Sequence, residues 1–192
     1  LAPIAGQLFG ALRLPEIGEE VRQAWWLSLG LSLLGIIILI NPEPLLSIAE
    51  SNPEVEAKAI LYLQIVALGL PASMALRVLV GFHNAISRPA VITWIQIGGL
   101  LLKIPLNALF IYGLGSFEGL GAPGCAIATV IINFAWLLIA LAIVRYQKFY
   151  ERFEVFSRFS RPDWHKHWTL LKLGTPIGLS YLIEVTSFAF MA

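Results

Sequence analysis

Residues 90–114 read AVITWIQIGGLLLKIPLNALFIYGL and contain a single charged residue, Lys103. A helix needs about 20 mainly apolar residues to cross the hydrocarbon core of a bilayer, and this stretch exceeds that length. Over the whole chain 58% of residues are hydrophobic and 13% are charged, whereas about a quarter of the residues in a soluble domain are charged. A soluble domain of this composition would expose much of its apolar surface, so the sequence predicts an all-α, polytopic membrane helix bundle.

Further apolar stretches at 24–41, 57–82, 120–144 and 170–192 are long enough to be membrane spans. Residues 1–23 are predicted to form the end of an earlier helix and a turn. Residues 145–169 are predicted to form a long loop. The first residue is Leu1 rather than a methionine, and the last span is still apolar at Ala192. We therefore expect a parent protein that is longer at both ends.

Charged residues alternate between the loops and predict the orientation of the bundle. We call the segments 1–23, 83–89 and 145–169 the basic side, because the lysines and arginines of the loops fall there. They are Arg13, Arg22, Arg88, Arg145, Lys148, Arg152, Arg158, Arg161 and Lys166. The opposite segments, 41–56 and 115–119, carry Glu43, Glu50, Glu54, Glu56 and Glu118 and neither lysine nor arginine. Cytoplasmic loops are enriched in Lys and Arg, so the basic side is predicted to be cytoplasmic.

The long loop 145–169 is open to two interpretations. Its charges, together with Trp164 and Trp168, fit an amphipathic linker on the membrane surface that joins two helix bundles. An ordinary long loop is equally compatible with this composition.

Glu184 is the main polar residue inside an apolar stretch. It lies about 14 residues into the span 170–192, or roughly 21 Å along a helix, which is past the middle of a core about 30 Å thick. A carboxylate at that depth costs several kcal/mol unless it is protonated or paired with a cation. Exchange of a proton or Na⁺ at Glu184 is one hypothesis, and a buried acid that is hydrogen-bonded for packing is the alternative.

Two pairs of polar residues recur at helical spacing. Lys103 and Asn107 share one helix face, and Thr129 and Asn133 form a similar pair on the next span. Such residues either hydrogen-bond helices to one another or line a water-filled cavity. Enzyme motifs are absent from the sequence: no glycine-rich phosphate loop is present, and three histidines are too few and too scattered for a metal site. No enzymatic activity, nucleic-acid partner or cofactor is therefore expected.

Several stretches resemble one transporter family. Residues 103–113 (KIPLNALFIYG) and 119–129 (GLGAPGCAIAT) resemble the fifth and sixth helices of NorM-type multidrug and toxic compound extrusion (MATE) transporters. Residues 69–71 (GLP), with 81–82 and 88–89, resemble the fourth helix and the turn after it. Residues 173–178 (LGTPIG) and 184–188 (EVTSF) resemble the seventh, and 2–7 (APIAGQ) the end of the second.

The resemblance implies a fold of twelve helices in two bundles, of which this chain would hold the third to sixth helices and parts of the second and seventh. It implies multidrug efflux by antiport of amphipathic organic cations against Na⁺ or H⁺, in a monomer in the bacterial inner membrane. Glu184 then matches the cation-coupling residue, a possible Na⁺ ligand, and Asn107 and Thr129 match cavity positions.

Lys103 departs from this family, in which many members carry an asparagine. We hypothesise that it pairs with the acid expected on the missing first helix. The sequence leaves three alternatives to multidrug efflux: a lipid-linked oligosaccharide flippase of the same superfamily, an intramembrane enzyme, or a channel. The first needs a more cationic cavity than Lys103 alone supplies.

Overall fold

The computed structural model describes residues 1–42, 53–114, 117–157 and 160–191, and most of them are helical. The helices are α1 (Ala2–Gly10), α2 (Leu14–Ile40), α3 (Pro53–Ala85), α4 (Pro89–Tyr112), α5 (Ala122–Tyr146), α6 (Lys148–Glu151) and α7 (Trp164–Met191). Two short strands, β1 (Gly113–Leu114) and β2 (Phe117–Glu118), pair in antiparallel fashion between α4 and α5. The predicted all-α bundle is confirmed, with this small hairpin added.

Four helices of the described part are long and apolar enough to cross a bilayer. They are Leu14–Ile40, Val55–Ala85, Pro89–Tyr112 and Ala122–Tyr146. The remaining span predicted from the sequence, 170–192, lies on α7 as far as Met191. Glu43, Glu50, Arg158 and Ala192 lie outside the described residues, as do the side chains of Glu54 and Glu118.

The ends of the helices follow from local chemistry. A proline stands in the first turn of α1, α2, α4 and α5, where its missing N–H removes no helical hydrogen bond. Gly113 ends α4 with a φ of 80°, a conformation that glycine adopts without steric cost. Helix α2 begins at Leu14, so residues 14–23, expected to belong to a turn, form the polar first turns of the helix.

Helix α3 lies at the centre of the bundle and packs against α1, α2 and α5, and α4 packs along α5. Small residues allow close contact between the backbones: a side chain at Gly99 would overlap the Trp136 indole, and one at Gly124 would overlap the Phe110 carbonyl. Close packing at small residues is the usual way in which membrane helices associate, since lipid provides no hydrophobic force between them.

The core is densest at the basic side. Phe82 and Phe153 are fully buried, with ring centroids 5.3 Å apart in an edge-to-face arrangement. Tyr150 packs on the same group of rings. Phe82 lies in the last turn of α3. Tyr150 and Phe153 belong to the segment between α5 and α7, which we call the linker (residues 147–163). Much of the linker is therefore packed into the bundle and does not form a loose loop.

Candidate functional site

The polar residues predicted on α4 and α5 lie on two helices that face each other. Gly99 meets Trp136 near one end of the α4–α5 contact, and Phe110 meets Gly124 near the other. Because the helices are antiparallel, Lys103 and Asn107 lie at the depth of the segment that contains Thr129 and Asn133. The structure thus brings the two polar pairs to one level of the bundle.

Asn107 carries an unsatisfied acceptor. Its side chain is half-buried, and its Oδ1 atom is buried with no hydrogen-bond partner among the described residues. Buried polar atoms in native proteins nearly always have a partner. An amide oxygen in this position can accept a hydrogen bond from a substrate or water, or coordinate a small cation.

Thr129 and Asn133 make local contacts on α5. The Thr129 hydroxyl donates to the Cys125 carbonyl at 2.9 Å, which leaves its oxygen able to accept a further bond. The Asn133 Nδ2 atom lies 3.7 Å from the position that a Cβ atom on Gly69 would occupy. Asn133 is therefore directed toward α3. We call the level of Lys103, Asn107, Thr129 and Asn133 the polar level, and it involves α3 as well as α4 and α5.

Lys103 is half-buried on α4. It makes no ion pair with a carboxylate in the part of the chain that the structure describes. The pairing of Lys103 with an acid on another helix stays a prediction.

Glu184 lies apart from these four residues. Helix α7 contacts α2 through its first turns, where His167 and Leu170 are 8% and 7% exposed. Glu184 follows Leu170 by roughly 21 Å of helix, and its side chain is exposed. No group of three or more metal-ligating side chains is present in the described residues. The structure therefore does not bring Glu184 to the polar residues of α4 and α5.

The contact between α2 and the linker was missed by sequence reasoning. Arg22 donates to Ser160 Oγ at 2.7 Å, to the Glu154 carbonyl at 2.5 Å and to Glu19 at 2.8 Å. Gln23 donates to the Arg161 carbonyl at 2.8 Å and accepts from the Asp163 backbone N–H at 2.9 Å. The polar residues in the first turns of α2 are the sequence signal for this contact. The neighbouring sequence does not identify the linker groups with which they pair.

A second group that sequence reasoning missed surrounds His83, at the end of α3. His83 is fully buried, and its Nδ1 atom lies 2.8 Å from the Leu79 carbonyl. Its ring centroid lies 5.4 Å from that of Tyr150. This histidine packs α3 against the linker.

Comparison with known proteins identifies the family. The family model described as MatE matches residues 1–109, which is more than half of the chain. The chain belongs to the MatE family. The resemblance to this family is confirmed by this match and by relatives that align over the whole chain, together with the fold class of a multi-pass membrane helix bundle.

Relatives of this MatE chain include proteins named for multidrug resistance. It is 31% identical over 192 residues to the "Probable multidrug resistance protein NorM" of Neisseria meningitidis serogroup B, covering 100% of this chain and 42% of the relative. It is 35% identical over 187 residues to the "Multidrug resistance protein PmpM" of Pseudomonas aeruginosa, covering 97% of this chain and 39% of the relative. The chain thus spans about two fifths of the length of the curated relatives it matches.

A solved structure shares the arrangement of the helices. The MATE transporter NorM-NG, in complex with R6G and a monobody, aligns with a TM-score of 0.61 and 29% identity. The alignment covers 99% of this chain and 42% of the NorM-NG chain. This MatE chain therefore has the fold of a portion of that transporter.

Proposed function

We propose that the whole protein is a multidrug efflux transporter, which exports amphipathic organic cations in exchange for Na⁺ or H⁺. The observation that carries this proposal is membership of the MatE family together with an alignment over the full chain to proteins named for multidrug resistance. The R6G complex of NorM-NG supports a small-molecule substrate of this kind. We further propose a monomer in a bacterial inner membrane, without a cofactor other than the coupling ion.

The polar level of α4 and α5 is the proposed substrate-facing surface of this chain. Asn107 offers a buried acceptor, and Thr129 retains lone pairs on its hydroxyl oxygen. Asn133 adds an amide at the same level. Amide and hydroxyl oxygens can hydrogen-bond an ammonium group or the water around it, whereas the ammonium group of Lys103 would repel a cation unless an acid neutralises it.

Glu184 is the proposed site for the coupling ion. Burying an ionised carboxylate on a membrane helix is unfavourable in free energy unless the carboxylate binds a proton or a small cation. Release of that ion restores the unfavourable free energy. If a cationic substrate and the ion compete for this carboxylate, each weakens the binding of the other by the same factor. Such reciprocity is what antiport requires.

The test uses the full-length protein in proteoliposomes with R6G and an imposed Na⁺ or H⁺ gradient. Wild type should export R6G under one of the gradients, and Glu184→Gln should lower gradient-driven export at least tenfold. Glu151→Gln is the matched control, because Glu151 is an exposed acid on the basic side. Export by Glu184→Gln at the wild-type rate would refute Glu184 as the coupling residue, and absence of export by wild type would refute the transport proposal.

A further inference from the structure

Two arginines of the basic side stack on one aromatic ring. The Arg88 guanidinium carbon lies 3.6 Å from the centroid of the Phe149 ring, and that of Arg152 lies 4.2 Å from the same centroid. Arg152 is also held by a hydrogen bond from its Nε atom to the Phe149 carbonyl at 3.1 Å. The ring therefore positions two like charges close together, at a favourable distance for cation–π contact.

These charges are not neutralised within the described chain. Elsewhere on the basic side, cations pair with acids: Arg13 with Glu16, Arg22 with Glu19, and Lys166 with Glu19 and Glu20. Arg88 and Arg152, by contrast, are both exposed, and in the ranges that the structure covers neither makes an ion pair with a carboxylate. Lys148 stands beside them on α6, exposed and equally unpaired in these ranges.

The positive charge of Arg88 also acts on the neighbouring Tyr150 hydroxyl. Burial raises the pKa of the Tyr150 hydroxyl, and the charge of Arg88 opposes part of that rise. The stacking on Phe149 and the hydrogen bond of Arg152 hold the two guanidinium groups in place, so the stack is a fixed positive patch.

The patch lies at the ends of two candidate membrane spans. Arg88 caps the start of α4, and Tyr146 ends α5 a few residues before Phe149. Both helices are candidate membrane spans, so the stack stands where two spans leave the bilayer. Tyr146 is 81% exposed, and exposed tyrosines at span ends are typical of the membrane interface.

We propose that Arg88, Phe149 and Arg152 form a binding site for the phosphate group of an anionic phospholipid in the cytoplasmic leaflet. Guanidinium groups bind phosphate in a bidentate manner, and a phosphate bound beside this ring would offset the repulsion between the two positive charges. The stacking on Phe149 preorganises both arginines, which lowers the entropy lost on binding. The positive charge of the patch and its position at the end of two spans favour a lipid over a soluble anion. This site is separate from the proposed transport residues.

The test measures retention of phosphatidylglycerol by the full-length protein in native mass spectrometry, with phosphatidylcholine as the neutral comparison. Arg88→Gln/Arg152→Gln should weaken phosphatidylglycerol binding about 25-fold, because each basic residue near an anionic membrane surface contributes roughly fivefold. The control is Arg13→Gln, an exposed arginine that already pairs with Glu16, and it should retain wild-type binding. Arg152→Gln alone serves if the double variant does not elute as a folded protein.

Three outcomes would overturn the proposal. The double variant could retain phosphatidylglycerol as wild type does, or Arg13→Gln could lose it to the same extent, which would indicate unspecific charge attraction. Inorganic phosphate at low millimolar concentration could also displace the lipid, which would make a soluble anion the ligand. Retention of phosphatidylglycerol by wild type in the presence of phosphate, with loss in the double variant, supports the lipid site. None of these readings depends on transport activity.

Discussion

The Lys166 ammonium group lies 3.0 Å from a carboxylate oxygen of Glu20. This ion pair joins the first turn of α7 to the first turns of α2, and the same lysine lies 3.8 Å from Glu19. Because α7 continues toward Glu184, the contact fixes the base of the helix that carries the proposed coupling residue. From Lys172 to Ser187 the side chains of α7 are exposed, so the first turns are its attachment to this bundle in the described chain.

The Arg22 contacts with the linker predict a loss of stability when the guanidinium is removed. Arg22→Ala should destabilise the folded protein by about 3 kcal/mol, because two carbonyls of the linker and the Glu19 carboxylate lose a charged donor. Arg13→Ala should cost about 0.5 kcal/mol, since the Arg13–Glu16 pair is exposed. Thermal unfolding of the full-length protein in detergent measures the difference. Equal melting temperatures for the two variants would contradict the role given to Arg22.

Gly18 on α2 allows the backbone of the linker to pack closely against this helix. A Cβ atom at this position would overlap the Phe153 carbonyl, a backbone group that cannot move without shifting the linker. Gly18→Ala should therefore destabilise the protein by about 1–3 kcal/mol, as overpacking usually does.

Gly30→Ala is the matched control on the same helix. A Cβ atom there would have no neighbour within 4 Å, and alanine favours the helix by about 1 kcal/mol over glycine. Opposite signs of the two changes in apparent melting temperature are expected. A Gly18→Ala variant as stable as wild type would refute the close packing of the linker on α2.

Adjacent glycines on α4 provide a further matched pair. Gly99→Ala places a methyl group within the Trp136 indole, whereas Gly98→Ala meets nothing within 4 Å. Gly99→Ala should displace α4 from α5 and lower R6G export by the full-length protein, because the polar level lies on this contact. Gly98→Ala should export R6G at the wild-type rate. Similar export by both variants would indicate that the α4–α5 packing does not position the substrate-facing residues.

Sequence patterns predicted the bundle well because membrane helices are specified locally. The apolar stretch 90–114 and the proline at Pro89 suffice to indicate α4, and helical spacing places Lys103 and Asn107 on one face. The linker contacts are different in kind. Arg22 donates to backbone carbonyls more than 130 positions away in the sequence, and a carbonyl carries no signature in the residue type.

The stacking of Arg88 on Phe149 was equally inaccessible from the sequence. Both residues stand in loop segments whose composition predicts charge at the cytoplasmic surface but no particular pairing. Glu184 was selected for its depth in an apolar stretch, and its side chain is exposed in the described chain. The sequence pattern therefore predicted which polar residues stand out in apolar or loop segments. The contacts of those residues could be obtained only from the fold.

Lys103 gives the last prediction, which concerns the pH dependence of transport. If Lys103 pairs with an acid on another helix, the ammonium group of Lys103 stabilises the ionised form of that acid. Lys103→Asn would remove this cation, so protons would compete better for the acid, and the pH of half-maximal R6G export should rise by about one unit. Lys148→Asn is the control, because it removes an exposed cation at the basic side. The measurement is initial export rate against pH in proteoliposomes of full-length protein. A pH profile for Lys103→Asn that superimposes on wild type would exclude the pairing and leave Lys103 as an uncompensated cation on α4.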